Sequence, residues 1–209
     1  MTTVSALQQR WHNTLAPLLP EPDITWQQLA SLYSEPHRHY HTLDHVAACL
    51  NWLDHYRHLA NDPLTMELAL WAHDVIYDPR ASDNEARSAD WFAEQFADST
   101  LTDAQRDRVH TLILATIHPH PPTDADMALL QDIDLSILGA DIELYDRYEG
   151  WIRQEYDFVP EEAFRKGRGA VLKGFLDQGV IYHTAELREK LEASARDNLS
   201  RALGKLSEG

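Results

Sequence analysis

Apolar side chains recur along most of this chain at three- and four-residue intervals and nowhere alternate strictly, so α-helices are the elements available to it. The block from Thr42 to about Leu59 shows the pattern. Val46, Leu50 and Leu53 form one stripe, with Cys49, Trp52 and Tyr56 beside it. Helix-start signals punctuate the rest. Thr25 with Gln28, Ser82 with Glu85, and Thr102 with Gln105 have capping-box spacing, and Asp62-Pro63 offers an N-cap followed by a first-turn proline. These signals predict helices over 3–18, 25–33, 42–59, 63–75, 83–97 and 103–117. Further helices follow over 124–138, 141–156, 161–177 and 185–205, with breaks at Gly139, Pro160 and the proline-rich run 118–123. The expected fold class is all-α: one helical domain over 1–209, its core spanning about 33–140 and the helices of 141–206 packing on it.

Composition narrows the function classes. The 209 residues suffice to bury roughly 70% of the unfolded surface without staples. One cysteine, Cys49, excludes an internal disulfide and a cysteine-based zinc module. With 34 acidic against 18 basic side chains the net charge is −16, which opposes the phosphate neutralisation that long nucleic acids require. A small phosphorylated substrate stays compatible, since one site can differ in sign from the whole. The N-terminal stretch lacks a basic region followed by an apolar run, and no segment approaches about 18 apolar residues, so a cytoplasmic chain without a membrane span is expected. An apolar helix face could pair two copies into a homodimer.

Histidine is placed unevenly: seven of the 12 lie between His37 and His73. His73-Asp74 ends an otherwise apolar helical segment, LALWAHDVIYDP, where burying an imidazole beside a carboxylate is costly unless both find a partner. A divalent metal is one such partner. His45 lies near the start of the preceding helix and can face that pair. Downstream, Asp132 and Asp134 sit among leucines and isoleucines and also ask for a charge partner. Two imidazoles and two carboxylates make a mixed nitrogen and oxygen site suited to Mn, Fe, Co, Ni, Zn or Mg. Each element alone also has a plain structural reading, as a hydrogen-bonded core residue.

The order His, His-Asp, Asp on successive helices resembles the HD superfamily of metal-dependent phosphohydrolases. The segment Tyr40-His41-Thr42-Leu43-Asp44-His45-Val46 looks like a motif of cyclic-nucleotide phosphodiesterases, and Asp134-Leu135-Ser136 resembles the segment that supplies their last metal aspartate. RHYHTLDHV, AHDVIYDP, SDNEARSA, DIDLSILG and WIRQEYDFVP together are similar to a bacterial family of predicted metal-dependent HD phosphohydrolases.

The resemblance implies that His45, His73, Asp74 and Asp134 hold one divalent metal, and that His41 is the acid protonating the leaving group. An exposed histidine at a helix start is the other reading of His41. Single-metal relatives such as the guanosine tetraphosphate hydrolases place Glu-Asp three and four residues after the HD aspartate, where this chain has Tyr77 and Asp78. Asp78 can orient the attacking water. Glu85 is the alternative base, although its spacing to Ser82 also explains it as a cap. His118 is a possible ligand for a second metal or a phosphate contact. Arg38, Arg153 and Arg168 are candidate substrate-phosphate contacts, and ion pairs with Glu149, Glu155 or Glu161 are the competing account.

The expected function is therefore hydrolysis of a small phosphate ester or anhydride, such as a nucleotide. The alternatives are an HD-type di-iron oxygenase, which needs a second iron at His118, and a catalytically idle HD module that binds a nucleotide or a partner.

Overall fold

The computed structural model describes residues 3–117 and 121–207, and among them there is no strand: the chain is all-α. The helices are α1 Thr3–Thr14, α2 Pro22–Leu32, α3 Leu43–Tyr56, α4 Pro63–Ala72, α5 Asn84–Gln95, α6 Asp103–Ala115, α7 Ala125–Asp134, α8 Ile142–Glu155, α9 Glu161–Asp177 and α10 Ala185–Ser207. None is long and apolar enough to cross a membrane. The chain divides into two compact units, Met1–Leu130 and Gln131–Gly209. The division falls within α7, about ten residues before the core boundary expected from the sequence.

In the first unit α4 is the central helix. Every residue from Thr65 to Ala72 is buried, because α3, α5 and α6 all pack against it. Asp62 caps it as the sequence predicts, its carboxylate accepting the N–H groups of Leu64 and Thr65 while Pro63 occupies the first turn. Glu67, 2% exposed in the middle of this helix, would be prohibitive without a partner; Arg10 donates to it at 2.8 Å and Arg57 lies at 3.4 Å. Trp71 closes a three-ring cluster with Trp11 and Trp26, centroids 5.6–6.1 Å apart, which fixes α1 and α2 against α4. The chain order thus delivers His73, the C-cap of α4, into the centre of the unit.

Two capping boxes do not form as their spacing predicts. Helix α2 starts at Pro22, before Thr25, because proline fixes the first turn and Thr25 bonds back to the Glu21 carbonyl instead. Helix α5 begins after Asp83 without a side-chain cap, so Ser82 and Glu85 do not form the expected box. The third, Thr102 with Gln105, is fully made at the head of α6.

In the second unit α10 packs against α8, α9 and the 3-10 turn Leu135–Gly139. Asp132 is fully buried and accepts N–H groups of His183 at 2.8 Å and Thr184 at 2.6 Å, closing the entry to α10. Asn198 reaches from α10 to the carbonyls of Leu138 and Ala140. Gly139 allows the turn to touch α10: a Cβ there would lie 2.7 Å from Leu191 Cβ and 2.9 Å from the Leu191 carbonyl oxygen. Gly139→Ala is therefore expected to cost about 1–3 kcal/mol, since backbone must shift to admit the methyl. Urea denaturation checks this, and an unchanged midpoint would show that the turn relaxes freely.

Candidate metal centre

The site grows from the C-terminal end of α4 and the first two turns of α3. Helix α3 opens after Thr42, whose hydroxyl accepts the Asp44 N–H, so His45 falls in the first turn with its ring turned into the unit. His45 and His73 are both buried, and their Nε2 atoms lie 3.0 Å apart. Asp74 Oδ2 is 3.1 Å from His73 Nε2 and 3.5 Å from His45 Nε2. Three donor atoms from two helix ends therefore converge.

Hydrogen bonding fixes the roles of these atoms. His73 Nδ1 is 3.0 Å from the Leu70 carbonyl, which can only accept, so Nδ1 carries a proton and Nε2 is the ring atom turned to the cluster. Burial alone would raise the Asp74 carboxyl. The charges of His73, His41 and His45, with the hydrogen bond to His73, outweigh it and hold the group well below the usual carboxylate range. Asp74 is thus an anionic oxygen donor beside two imidazole nitrogens.

These separations fit a metal. Donors bound at about 2.1 Å lie about 3.0 Å apart when cis in an octahedron and about 3.4 Å apart in a tetrahedron. The observed 3.0, 3.1 and 3.5 Å span those values. Cys49, one turn beyond His45 on α3, brings its Sγ to 3.7 Å from His45 Nε2. His45, Cys49 and His73 offer ligand atoms all within 4.8 Å of one another, so this buried group could hold a metal ion. In the sequence Cys49 has the plain signature of a core residue. Its i, i+4 relation to His45 was the signal, because that spacing puts both on one face of a helix.

His41 precedes the helix rather than lying in it. Its ring nevertheless comes 6.1 Å from that of His45 and stacks on Tyr77 at 4.2 Å, with Tyr40 packed edge-on at 5.0 Å. It is half-buried, so the exposed-start reading does not describe it.

Arg38 does not fit the phosphate-contact expectation. Its side chain is fully buried and its guanidinium donates to the carbonyls of His41 at 3.0 Å, Asp74 at 2.7 Å and Val75 at 2.9 Å, and to the Glu35 carboxylate at 3.2 Å. It also lies 5.1 Å from the centroid of the Tyr33 ring and 5.5 Å from that of Tyr77. Nearly all its donors are spent, so it straps the His41 segment to the His-Asp turn. Arg153 and Arg168, in the second unit, are likewise engaged as the competing account has it. Arg153 pairs with Glu161 and bonds the Tyr156 carbonyl, and Arg168 forks onto Glu149 and the Tyr148 hydroxyl.

Asp78 is half-buried four residues past Asp74. One of its oxygens accepts the Arg80 N–H at 2.9 Å, and its backbone is clamped by Asn84 in both directions. Glu85 is half-buried in the first turn of α5. Asp134 ends α7, half-buried, and its neighbour Asp132 is committed to the start of α10, which leaves Asp134 as the candidate ligand of that segment. His118 lies outside the described residues. No protein-family model matches the chain, and neither the curated proteins nor the solved structures contain a match.

Proposed function

We propose that the chain is a metal-dependent phosphohydrolase of the HD type, acting on a small phosphate ester or anhydride. In this reading one divalent ion is held by His45, His73 and Asp74, with Asp134 as the fourth ligand that the motif order assigns. The convergence of two imidazole nitrogens and an ionised carboxylate oxygen within 3.0–3.5 Å carries the proposal. Nitrogen donors favour Mn, Fe, Co, Ni or Zn over Mg, and the nearby Cys49 sulfur strengthens that preference.

A bound ion would supply Lewis acidity at a phosphoryl oxygen and lower the pKa of water. The protein supplies the rest. His41, wedged between Tyr40 and Tyr77 beside His45, is the residue this reading assigns to hand a proton to the departing oxygen, a general-acid role that histidine often fills. Asp78 is near enough in the chain to orient a water from the His-Asp turn, with Glu85 the alternative base. The net charge of −16 disfavours long polyanions, so small substrates are the fitting class.

The test is purified protein, metal analysis and a screen of phosphomonoesters, phosphodiesters and nucleoside triphosphates. One Mn, Co, Ni, Fe or Zn per chain is expected, with turnover in at least one class that Asp74→Ala abolishes. Metal binding without any hydrolysis would sink the enzymatic reading. Two iron ions per chain would point to the oxygenase alternative.

A further inference from the structure

The hydrolytic reading gives Cys49 no task, although it is the chain's only thiol and is 1% exposed. It lies on the inner face of α3, four residues after His45, so the helix itself brings sulfur and imidazole to one side. Val46, Leu50 and Leu53 share the buried part of this helix and keep it dry. Water therefore competes weakly there, and His73 across from α3 is also only 1% exposed.

The sulfur lies against the converging donors. Its distances to the His45 nitrogens are 3.7 Å for Nε2 and 3.8 Å for Nδ1, lengths at which a thiol S–H gains little from either. Cys49, His45 and His73 each offer an atom within 4.8 Å of the others. A sulfur held at about 2.3 Å and a nitrogen at about 2.1 Å from one ion lie about 3.6 Å apart in a tetrahedron. The 3.7 Å between Cys49 Sγ and His45 Nε2 matches that separation.

We propose that Cys49 is itself a ligand of the ion, as a thiolate beside the His45 and His73 nitrogens, and that it tunes the centre to zinc and cobalt over manganese and magnesium. This rests on the metal-centre reading above and adds a donor that the order His, His-Asp, Asp does not contain. As the sulfur–metal bond forms, the thiol proton leaves to solvent, so the step needs no oxidant or co-reactant. A thiolate is a soft anionic donor, which gains most with borderline ions such as Zn(II) and Co(II) and little with hard Mn(II) or Mg(II).

The experiment is titration of the full metal-free chain with Co(II), followed by absorption in a buffer without added thiol. Because the chain has a single cysteine, a thiolate-to-cobalt charge-transfer band in the near ultraviolet reports Cys49 alone. The expected result is such a band, saturating at one Co(II) per chain. Cys49→Ser should lose that band while keeping the weaker d–d absorption of cobalt on nitrogen and oxygen. In competition titrations the same variant should weaken Zn(II) by about 10-fold or more and Mn(II) by less than about 3-fold. Circular dichroism checks that Cys49→Ser is folded, and the wild-type spectrum decides the ligand question even where it is not. One Co(II) bound per chain without the charge-transfer band overturns the role of Cys49 and leaves the centre of His45, His73 and Asp74 standing. Equal losses of Zn(II) and Mn(II) affinity in the folded variant overturn the selectivity. Failure to bind cobalt at all overturns both this proposal and the metal-centre reading.

Discussion

Replacing Asp74 by Asn is expected to weaken divalent-metal affinity by at least about 100-fold and to remove any hydrolytic activity. The substitution keeps the shape of the side chain but exchanges the only anionic donor among the three converging atoms for a neutral amide. The His45 and His73 nitrogens stay 3.0 Å apart, yet the anionic oxygen that converges with them, one of the two carboxylates assigned to offset the charge of a cation, is gone. The effect is measurable without a substrate. At a metal concentration 100 times its Kd, binding stabilises the native state by about 2.7 kcal/mol, which for a chain of this size is a rise of roughly 5–11 °C in Tm. Wild type should show that rise with Mn, Co, Ni or Zn, and Asp74→Asn should not. A variant that kept the full shift would remove Asp74 from the ligand set. The acid limb gives a second reading. The folded pKa of Asp74 is depressed, so the stability it contributes to the metal-free protein is complete above the ordinary carboxylate value of 3.8. That stability is lost as pH falls from there through the folded pKa. Asp74→Asn should flatten that limb.

Arg38→Met is expected to be the most destabilising single change in the first unit, by about 3–5 kcal/mol. The methionine fills much of the volume but leaves the carbonyls of His41, Asp74 and Val75 without their donor and the Glu35 carboxylate without its cation. Arg38→Lys keeps the charge, yet one ammonium cannot span three carbonyls on two segments, so a smaller loss of about 1–3 kcal/mol is expected. Urea denaturation monitored by circular dichroism separates the two. Because the strap ties the His41 segment to the backbone of Asp74, metal affinity should fall in the lysine variant even where it remains folded. A cost below about 1 kcal/mol for Arg38→Met would mean that water replaces the guanidinium, and the strap would then have no structural weight.

Helix identity was legible because it depends on neighbours in the chain. The periodicity of Val46, Leu50 and Leu53, the Asp62-Pro63 start and the Thr102–Gln105 box each express an interaction within a few residues, and each element appears. The 161–177 helix has the bounds its sequence signals set. Where a local signal failed, another local feature competed with it: Pro22 opened α2 before Thr25 could, and Asp83 took the cap position that Ser82 was expected to fill.

The candidate trio at the His-Asp turn was legible for a different reason. His45, His73 and Asp74 stand out because an imidazole and a carboxylate in apolar helical surroundings need partners, a cost visible without coordinates. The partners themselves are a matter of which helix ends meet. Nothing local to Arg38 says that its guanidinium will be buried against the carbonyls of His41 and Asp74 rather than offered to a phosphate. Asp132 and Asp134 are equivalent in a one-dimensional reading, and only the path of the chain into α10 commits Asp132 to backbone N–H groups. Cys49 reads as a core thiol until packing sets it 3.7 Å from His45 Nε2.

By itself, then, the sequence determined that the chain is helical and that a few charged residues would be buried at a cost, since periodicity and desolvation are properties of residues and their near neighbours. Tertiary structure decided which buried groups would satisfy one another, because hydrogen bonds and ion pairs depend on separations of a few ångströms between residues dozens of positions apart. It is that step which turned Arg38 into a strap and brought two histidines and an aspartate to a single point.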